Sequence, residues 1–173
     1  MPEEHAHVTS SDHDLLRLSE FAKLRLPYMG YVMNITLDEV KGFASEWFHC
    51  VMSGGTGDEQ AAFHLRRDAR VFVGNGNNYS LDEHHELHKQ WKDEKHILGS
   101  LELTNINDHP ERVRANLTVY WEARYRNQAS GSSLIQAVAG ETWMIERTPD
   151  GLKFILYISR TYTLLPGSES INF

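Results

Sequence analysis

The chain has 173 residues, 40% of them apolar and 24% charged, with a net charge of -7, a size and balance that suit one soluble domain around one core. The acidic balance argues against nucleic acid as a partner, because a phosphate-binding surface needs an excess of Lys and Arg, and no apolar run is long enough to span a bilayer. The first residues carry neither the basic start nor the apolar stretch of a secretory signal, so the expected location is the cytoplasm, and the single Cys50 excludes an intrachain disulfide and a cysteine zinc cluster.

Residues 1–11 are polar, charged and aperiodic and are expected to form a disordered tail, followed by one domain over 12–165 and a C-terminal tail over 166–173. A first helix is predicted from Asp12 to Leu24, ended by Pro27 and Gly30. Thr36-x-x-Glu39 is a capping box, and Leu37, Val40, Ala44, Trp47, Phe48 and Val51 then repeat at the helical period until Gly54 and Gly55. A short helix over Asp58 to His64 leads into the brief strand Arg70 to Val73 and a Gly/Asn-rich turn. Ser80-x-x-Glu83 opens a further helix, predicted to reach Lys92. The period then changes to two. Strands are predicted over His96 to Asn105, Arg112 to Arg126, Leu134 to Arg147 and Lys153 to Leu164. Helices first and an antiparallel meander afterwards make an α+β pattern.

Four landmarks in this order resemble the SnoaL-like (nuclear-transport-factor-2-like) superfamily over about Leu37 to Leu165. They are Gly57-Asp58-Glu59 leading to Asp68-Ala69-Arg70-Val71-Phe72, then His96-Ile97-Leu98-Gly99, the long strand Arg112 to Arg126, and Gly140-x-x-Trp143 leading to Asp150-Gly151-Leu152-Lys153-Phe154. The resemblance implies N-terminal helices packed on a curved antiparallel sheet, forming a cone with an internal pocket. His96-Ile97-Leu98-Gly99 is similar to the motif of scytalone dehydratase that carries a catalytic His. That family's second catalytic His falls near Glu122 here, and its Tyr-Asp pair near Met52, Ser53 and Gly54. The C-terminal half also resembles the small subunit of aromatic-ring dioxygenases, whose role is mainly structural. Two functions follow from the resemblance: a cofactor-free lyase or isomerase acting on a small apolar or aromatic ligand, and a non-catalytic binding or structural subunit.

The histidines are the compositional oddity, ten in all and mostly before residue 110. On the helix from Leu81, His84 and His88 share an arc with Leu87 and Trp91. They are expected either to line a pocket and pass protons or to be hydrogen-bonded core residues. Their spacing suits a metal, but no third ligand is placed by spacing, so no metal or cofactor is expected. His96 is either the proton carrier that the resemblance suggests or an exposed strand end. Simple alternation puts it opposite Ile97, Leu101 and Leu103, unless a bulge at Gly99 changes the parity. Glu122 and Tyr120 share the mixed face of their strand, either as a polar pocket floor or as a solvated or dimer surface. Trp47, Phe72, Trp91, Trp121, Trp143 and Tyr162 are the aromatics able to line a cavity. A sheet with helices on one face leaves its other face needing cover, which predicts a homodimer.

Overall fold

The computed structural model describes residues 34–127 and 134–171. The predicted helix over 12–24, the expected N-terminal tail and most of the 127–133 loop lie outside them. Three helices, α1 (Leu37–Met52), α2 (Gly57–Ala61) and α3 (Leu81–His88), accompany six strands: β1 (Arg70–Val73), β2 (Asn78–Ser80), β3 (Trp91–Ile106), β4 (His109–Tyr125), β5 (Ile135–Thr148) and β6 (Gly151–Leu164). The strands form one curved, open sheet in the order β2-β1-β6-β5-β4-β3. It is mixed rather than wholly antiparallel, because β1 pairs with β6 in parallel. The short segment before α3 contributes β2, a strand that periodicity over three residues could not reveal.

Each helix starts on a capping box, in which a Thr or Ser oxygen accepts the backbone N–H of a Glu three residues on and that Glu reaches back. Glu39 also receives two hydrogen bonds from Arg147 Nη2, at 2.8 and 2.9 Å, and so ties the start of α1 to β5. The buried side of α1 is Val40, Phe43, Ala44, Trp47, Phe48 and Val51. These meet Val113, Ala115, Leu117, Val119, Trp143, Ile145 and Phe154 of the sheet in the main core. Trp47 is 1% exposed and packs edge-on against Phe63 and Phe154. Truncating such a residue to Ala typically costs ~3–5 kcal/mol.

Three local departures from the sequence reading shape the interior. The third helix stops at His88, not Lys92, so Trp91 is the first residue of β3 rather than part of a helical arc. The register of β3 against β4 shifts between Lys92 and Lys95, where Asp93 adopts a left-handed φ of 54°. That bulge lets Trp91 and Glu94, three residues apart, share one face of the strand. A second shift at Gly99 puts His96 and Leu98 on the same side as Leu101 and Leu103. Glycine fits there because a Cβ would lie 2.8 Å from Thr118 Oγ1. Ile97, expected inside, is 53% exposed.

The residues after β6 fold back on β5. Leu165 and Glu169 N–H groups donate to the carbonyls of Gln136 and Leu134, and Ile171 packs on the cluster of Trp91, Trp121, Ala123, Ile135 and Ala137. Among the described residues, no helix is long and apolar enough to cross a membrane.

Candidate active site

Between α1, α3 and the inner face of the sheet lies a small cavity of about 20 Å³, room for a water-sized molecule. His84, His88 and His96 form one side with Trp91 and Trp121, and Tyr157, Ser159 and Tyr162 of β6 also line it. A surface cleft of about 340 Å³ adjoins it and shares Val51, His88 and Trp91 with it. The cleft's rim carries Met52, Lys92 and Arg126.

One hydrogen-bonded chain runs along the histidine side. Gln60 Nε2 donates to the Gly55 carbonyl at 3.0 Å, so Gln60 Oε1 is left to accept, and it lies 2.8 Å from His84 Nδ1. His84 Nδ1 therefore carries hydrogen. The two Nε2 atoms of His84 and His88 are 3.1 Å apart. Burial, followed by the nearby histidine charges, holds His84 well below the usual imidazole range. It is thus neutral, its Nε2 accepts, and His88 Nε2 donates. At the far end, His88 Nδ1 lies 2.8 Å from Glu94 Oε1 and 3.0 Å from Glu94 Oε2. Donor and acceptor counting leaves one proton for that contact, held by His88 or by Glu94.

Glu94 is nearly buried, its side chain 6% exposed. Trp121 Nε1 donates to Glu94 Oε1 at 2.7 Å. Burial pushes the carboxyl up, but the charge of and hydrogen bond from His88, the charge of His96 and the bond from Trp121 outweigh it, and Glu94 ends below its ordinary value.

His96 differs from its neighbours. Its ring stacks on Phe48 at 5.3 Å and its Nε2 is 3.8 Å from Glu94 Oε1, too far for a hydrogen bond. Its Nδ1 is buried without a partner. Burial pulls its pKa down to about 4, with Glu94 acting in the opposite direction and His88 reinforcing the fall. It is a neutral imidazole at the edge of a cavity. The backbone N–H of His96 donates to Met52 Sδ at 3.2 Å, which ties this part of β3 to the end of α1.

The other expected site residues divide by face. Trp47, Trp91, Trp121 and Tyr162 line the cavity, whereas Trp143 stands behind it, wholly buried in the main core. Phe72 is 39% exposed, on the face of β1 turned away from the cavity. Glu122 and Tyr120 lie away from the cavity, on the outer face of the sheet, so of the two alternatives the surface position holds and the pocket floor does not. Lys95 Nζ donates to Glu122 Oε1 at 2.7 Å, Tyr120 Oη donates to Glu122 Oε2 at 2.8 Å, and Gln136 Nε2 donates to Tyr120 Oη at 2.6 Å. In β4 the residues facing the core are Val113, Ala115, Leu117, Val119, Trp121 and Ala123, so Tyr120 and Glu122 take the outer side. Among the described residues, no group of three or more His, Cys, Asp or Glu side chains is arranged to hold a metal ion.

Sequence reasoning missed Glu94, Gln60, Tyr157, Ser159 and Glu141. Glu94 was legible as the i−2 neighbour of His96, once the strand is begun five residues earlier. Glu141 was legible as the lone carboxylate in an inward-facing series Ala137, Ala139, Glu141, Trp143 and Ile145.

No family model matches the chain, and neither does any curated protein. Solved structures do. A type-3 hexachlorocyclohexane dehydrochlorinase (LinA) from Novosphingobium barchaimii superposes with a TM-score of 0.56 at 18% identity, over 92% of this chain and 99% of that one. An NTF2-like protein with a cystatin-like fold from Novosphingobium aromaticivorans gives 0.53 at 15% identity, over 93% and 94%. A candidate scytalone dehydratase from the same species gives 0.59 at 9% identity, over 75% and 83%. At these identities the likeness is one of fold: the chain has the NTF2-like, cystatin-like fold.

Proposed function

We propose that this chain is a small-molecule lyase that works by general acid–base catalysis without a cofactor, on an apolar or aromatic substrate bound in the cavity. The observation that carries this is the pairing of a buried, unpartnered His96 with the proton-sharing His88–Glu94 contact on the same cavity wall. His96 Nδ1 takes the proton from a carbon of the substrate. The electron pair of that C–H bond becomes the new double bond, and the neighbouring bond to the leaving group breaks with its own pair. His88–Glu94 gives its shared proton to a departing hydroxide. A halide leaves as the anion. The imidazolium formed at His96 sits 3.8 Å from Glu94, whose charge favours it. Some neighbours in fold carry the names of a dehydratase and a dehydrochlorinase, both eliminations of this kind.

A substrate needs more than the present volume. The adjoining cleft supplies it when Val51, His88 and Trp91, which the two spaces share, move apart. Assembly as a homodimer through the outer face of the sheet, and a cytoplasmic location, belong to the same proposal. A purely structural subunit would have no use for buried imidazoles bordering a cavity.

The test is a panel of β-hydroxy ketones and chlorinated cycloalkanes, assayed for alkene formation and halide release. On any compound turned over, His96→Ala and Glu94→Gln should each lower the rate ~10²–10⁴-fold while the melting temperature stays near that of the wild type. Full activity in folded His96→Ala sinks the proposal.

A further inference from the structure

The elimination scheme uses His96, His88 and Glu94 and gives no part to Gln60 and His84, which continue the same chain into the protein. Both are buried, Gln60 1% and His84 6% exposed. The chain starts at a backbone carbonyl, which can only accept. Gly55 is tied to the end of α1 by its N–H, which donates to the Cys50 carbonyl at 2.8 Å, and a Cβ on it would overlap the Cys50 side chain. The Gly55 carbonyl receives Gln60 Nε2 at 3.0 Å and His85 Nδ1 at 2.9 Å. Turning the Gln60 amide over would set its oxygen against that carbonyl, acceptor to acceptor. The amide therefore has one orientation, with Oε1 toward His84 Nδ1. Trp47 stacks on the His84 ring at 6.0 Å and an angle of 12°, which fixes the plane of the imidazole.

The tautomers decide how many hydrogens the chain holds. With Gln60 in place, His84 keeps its hydrogen on Nδ1 and His88 keeps one on Nε2. His88 Nδ1 then faces the Glu94 carboxylate at 2.8 Å, lone pair to lone pair, unless a third hydrogen lies between them. Without Gln60 the chain can reverse. His84 Nε2–H then donates to His88 Nε2, His88 Nδ1–H donates to Glu94, and two hydrogens satisfy the same contacts. The reversed chain has no acid proton to give, because a neutral His88 that lost its Nδ1 hydrogen would become an imidazolate.

We propose that Gln60 is a positioning residue that fixes the tautomers of His84 and His88 and so loads the His88–Glu94 contact with the proton that a hydroxyl leaving group requires. The inference rests on the acid–base reading of the site and narrows its substrate class to compounds that lose a hydroxyl. A halide departs as the anion and has no need of that proton.

The experiment reads the hydrogens and the chemistry separately, on the full chain. In ¹⁵N-labelled wild type at about pH 7, NMR should show His84 protonated on Nδ1 and the hydrogen between the two Nε2 atoms bonded to His88. In Gln60→Met, close in volume but without an acceptor, that hydrogen should move to His84 Nε2. Gln60→Glu still presents an acceptor to His84, and in its protonated form also a donor to the Gly55 carbonyl, so it should keep the wild-type pattern. The paired substrates are 3-hydroxycyclohexanone and 3-chlorocyclohexanone, followed by enone formation above the uncatalysed rate. Gln60→Met should slow loss of the hydroxyl ~10²-fold or more and loss of chloride no more than a few-fold, whereas a merely structural role would slow both alike. Gln60→Glu should restore hydroxyl loss to within a few-fold of the wild type. If Gln60→Met does not fold, the wild-type spectrum decides. A hydrogen carried by His84 Nε2 in the wild type, one that stays on His88 in Gln60→Met, or equal slowing of the two substrates overturns the inference. The expected tautomers with neither ketone turned over count against the acid–base reading and support Gln60 as the residue that sets them.

Discussion

Two glutamates lie buried near one cavity, and their pKa values move in opposite directions from the ordinary one. Glu94 has an imidazole 2.8 Å away and is held below its ordinary pKa despite its burial. Glu141 is as deeply buried but has only Trp, Tyr and Ser donors around it, and rises to about 7. Burial is common to both, so the partner decides: a group able to become a cation keeps a carboxylate ionised, while neutral donors do not. The result is a carboxylate kept ionised behind the histidine wall and, across the cavity, a carboxyl that holds its proton up to about pH 7.

The stability of the fold against pH should expose this contrast. His64 and His96 are both brought from 6.5 down to about 4 by burial. For each, the unfolded chain binds the proton more readily, so stability is full above pH 6.5 and lost as pH falls toward 4, by about 3 kcal/mol per group. Glu141 is raised from 4.5 to about 7. Its contribution has the opposite sign: full below pH 4.5 and lost as pH rises toward 7, again by about 3 kcal/mol. Between these limits the trends partly cancel. In Glu141→Gln the falling limb goes, so stability measured by urea unfolding should rise more steeply from about pH 4.5 to 6.5 than in the wild type. Superimposable curves would mean that the two walls do not differ in ionisation.

A smaller effect sharpens the comparison from outside the cavity. Glu122 shares the sheet with Glu94 but faces outward, paired with Lys95. Exposed pairs of this kind contribute ~0–1 kcal/mol. Glu122→Gln should therefore leave both melting temperature and turnover within a few-fold of the wild type, in the assay where Glu94→Gln is severely impaired. A loss of activity in Glu122→Gln as large as that in Glu94→Gln would place the chemistry on the wrong face.

The difference between Glu94 and Glu122 also marks the limit of sequence reading here. The helices announced themselves through capping boxes at Thr36 and Ser80, and β4 and β5 through clean alternation, because these signals are local. His84 and His88 were legible as a pair because histidines on the apolar arc of a helix are unusual, and His96 through the resemblance that His96-Ile97-Leu98-Gly99 carries. Which residues joined them depended on two bulges in β3, at Asp93 and Gly99. One extra residue in a strand moves every later side chain to the other face. The Gly99 shift was foreseeable only as a condition, and Asp93 carries no bulge signature of its own. Phe72 was named as a possible cavity residue on residue type alone, and its strand position turns it outward; for Tyr120 the strand position selects the outer surface from the two alternatives.

The account stands most directly on the protonation of the histidine wall. Two-bond proton–nitrogen NMR of the imidazoles, followed from about pH 8 to pH 4, reads each ring nitrogen separately. His84 should be neutral with its hydrogen on Nδ1, as the Gln60 contact requires. His96 should remain neutral until the pH approaches about 4. In Glu94→Gln the ring signals of His88 should change, while those of His64 stay where they were. A His96 that protonates near 6.5, or a His88 indifferent to the loss of the Glu94 charge, would contradict the proposed site.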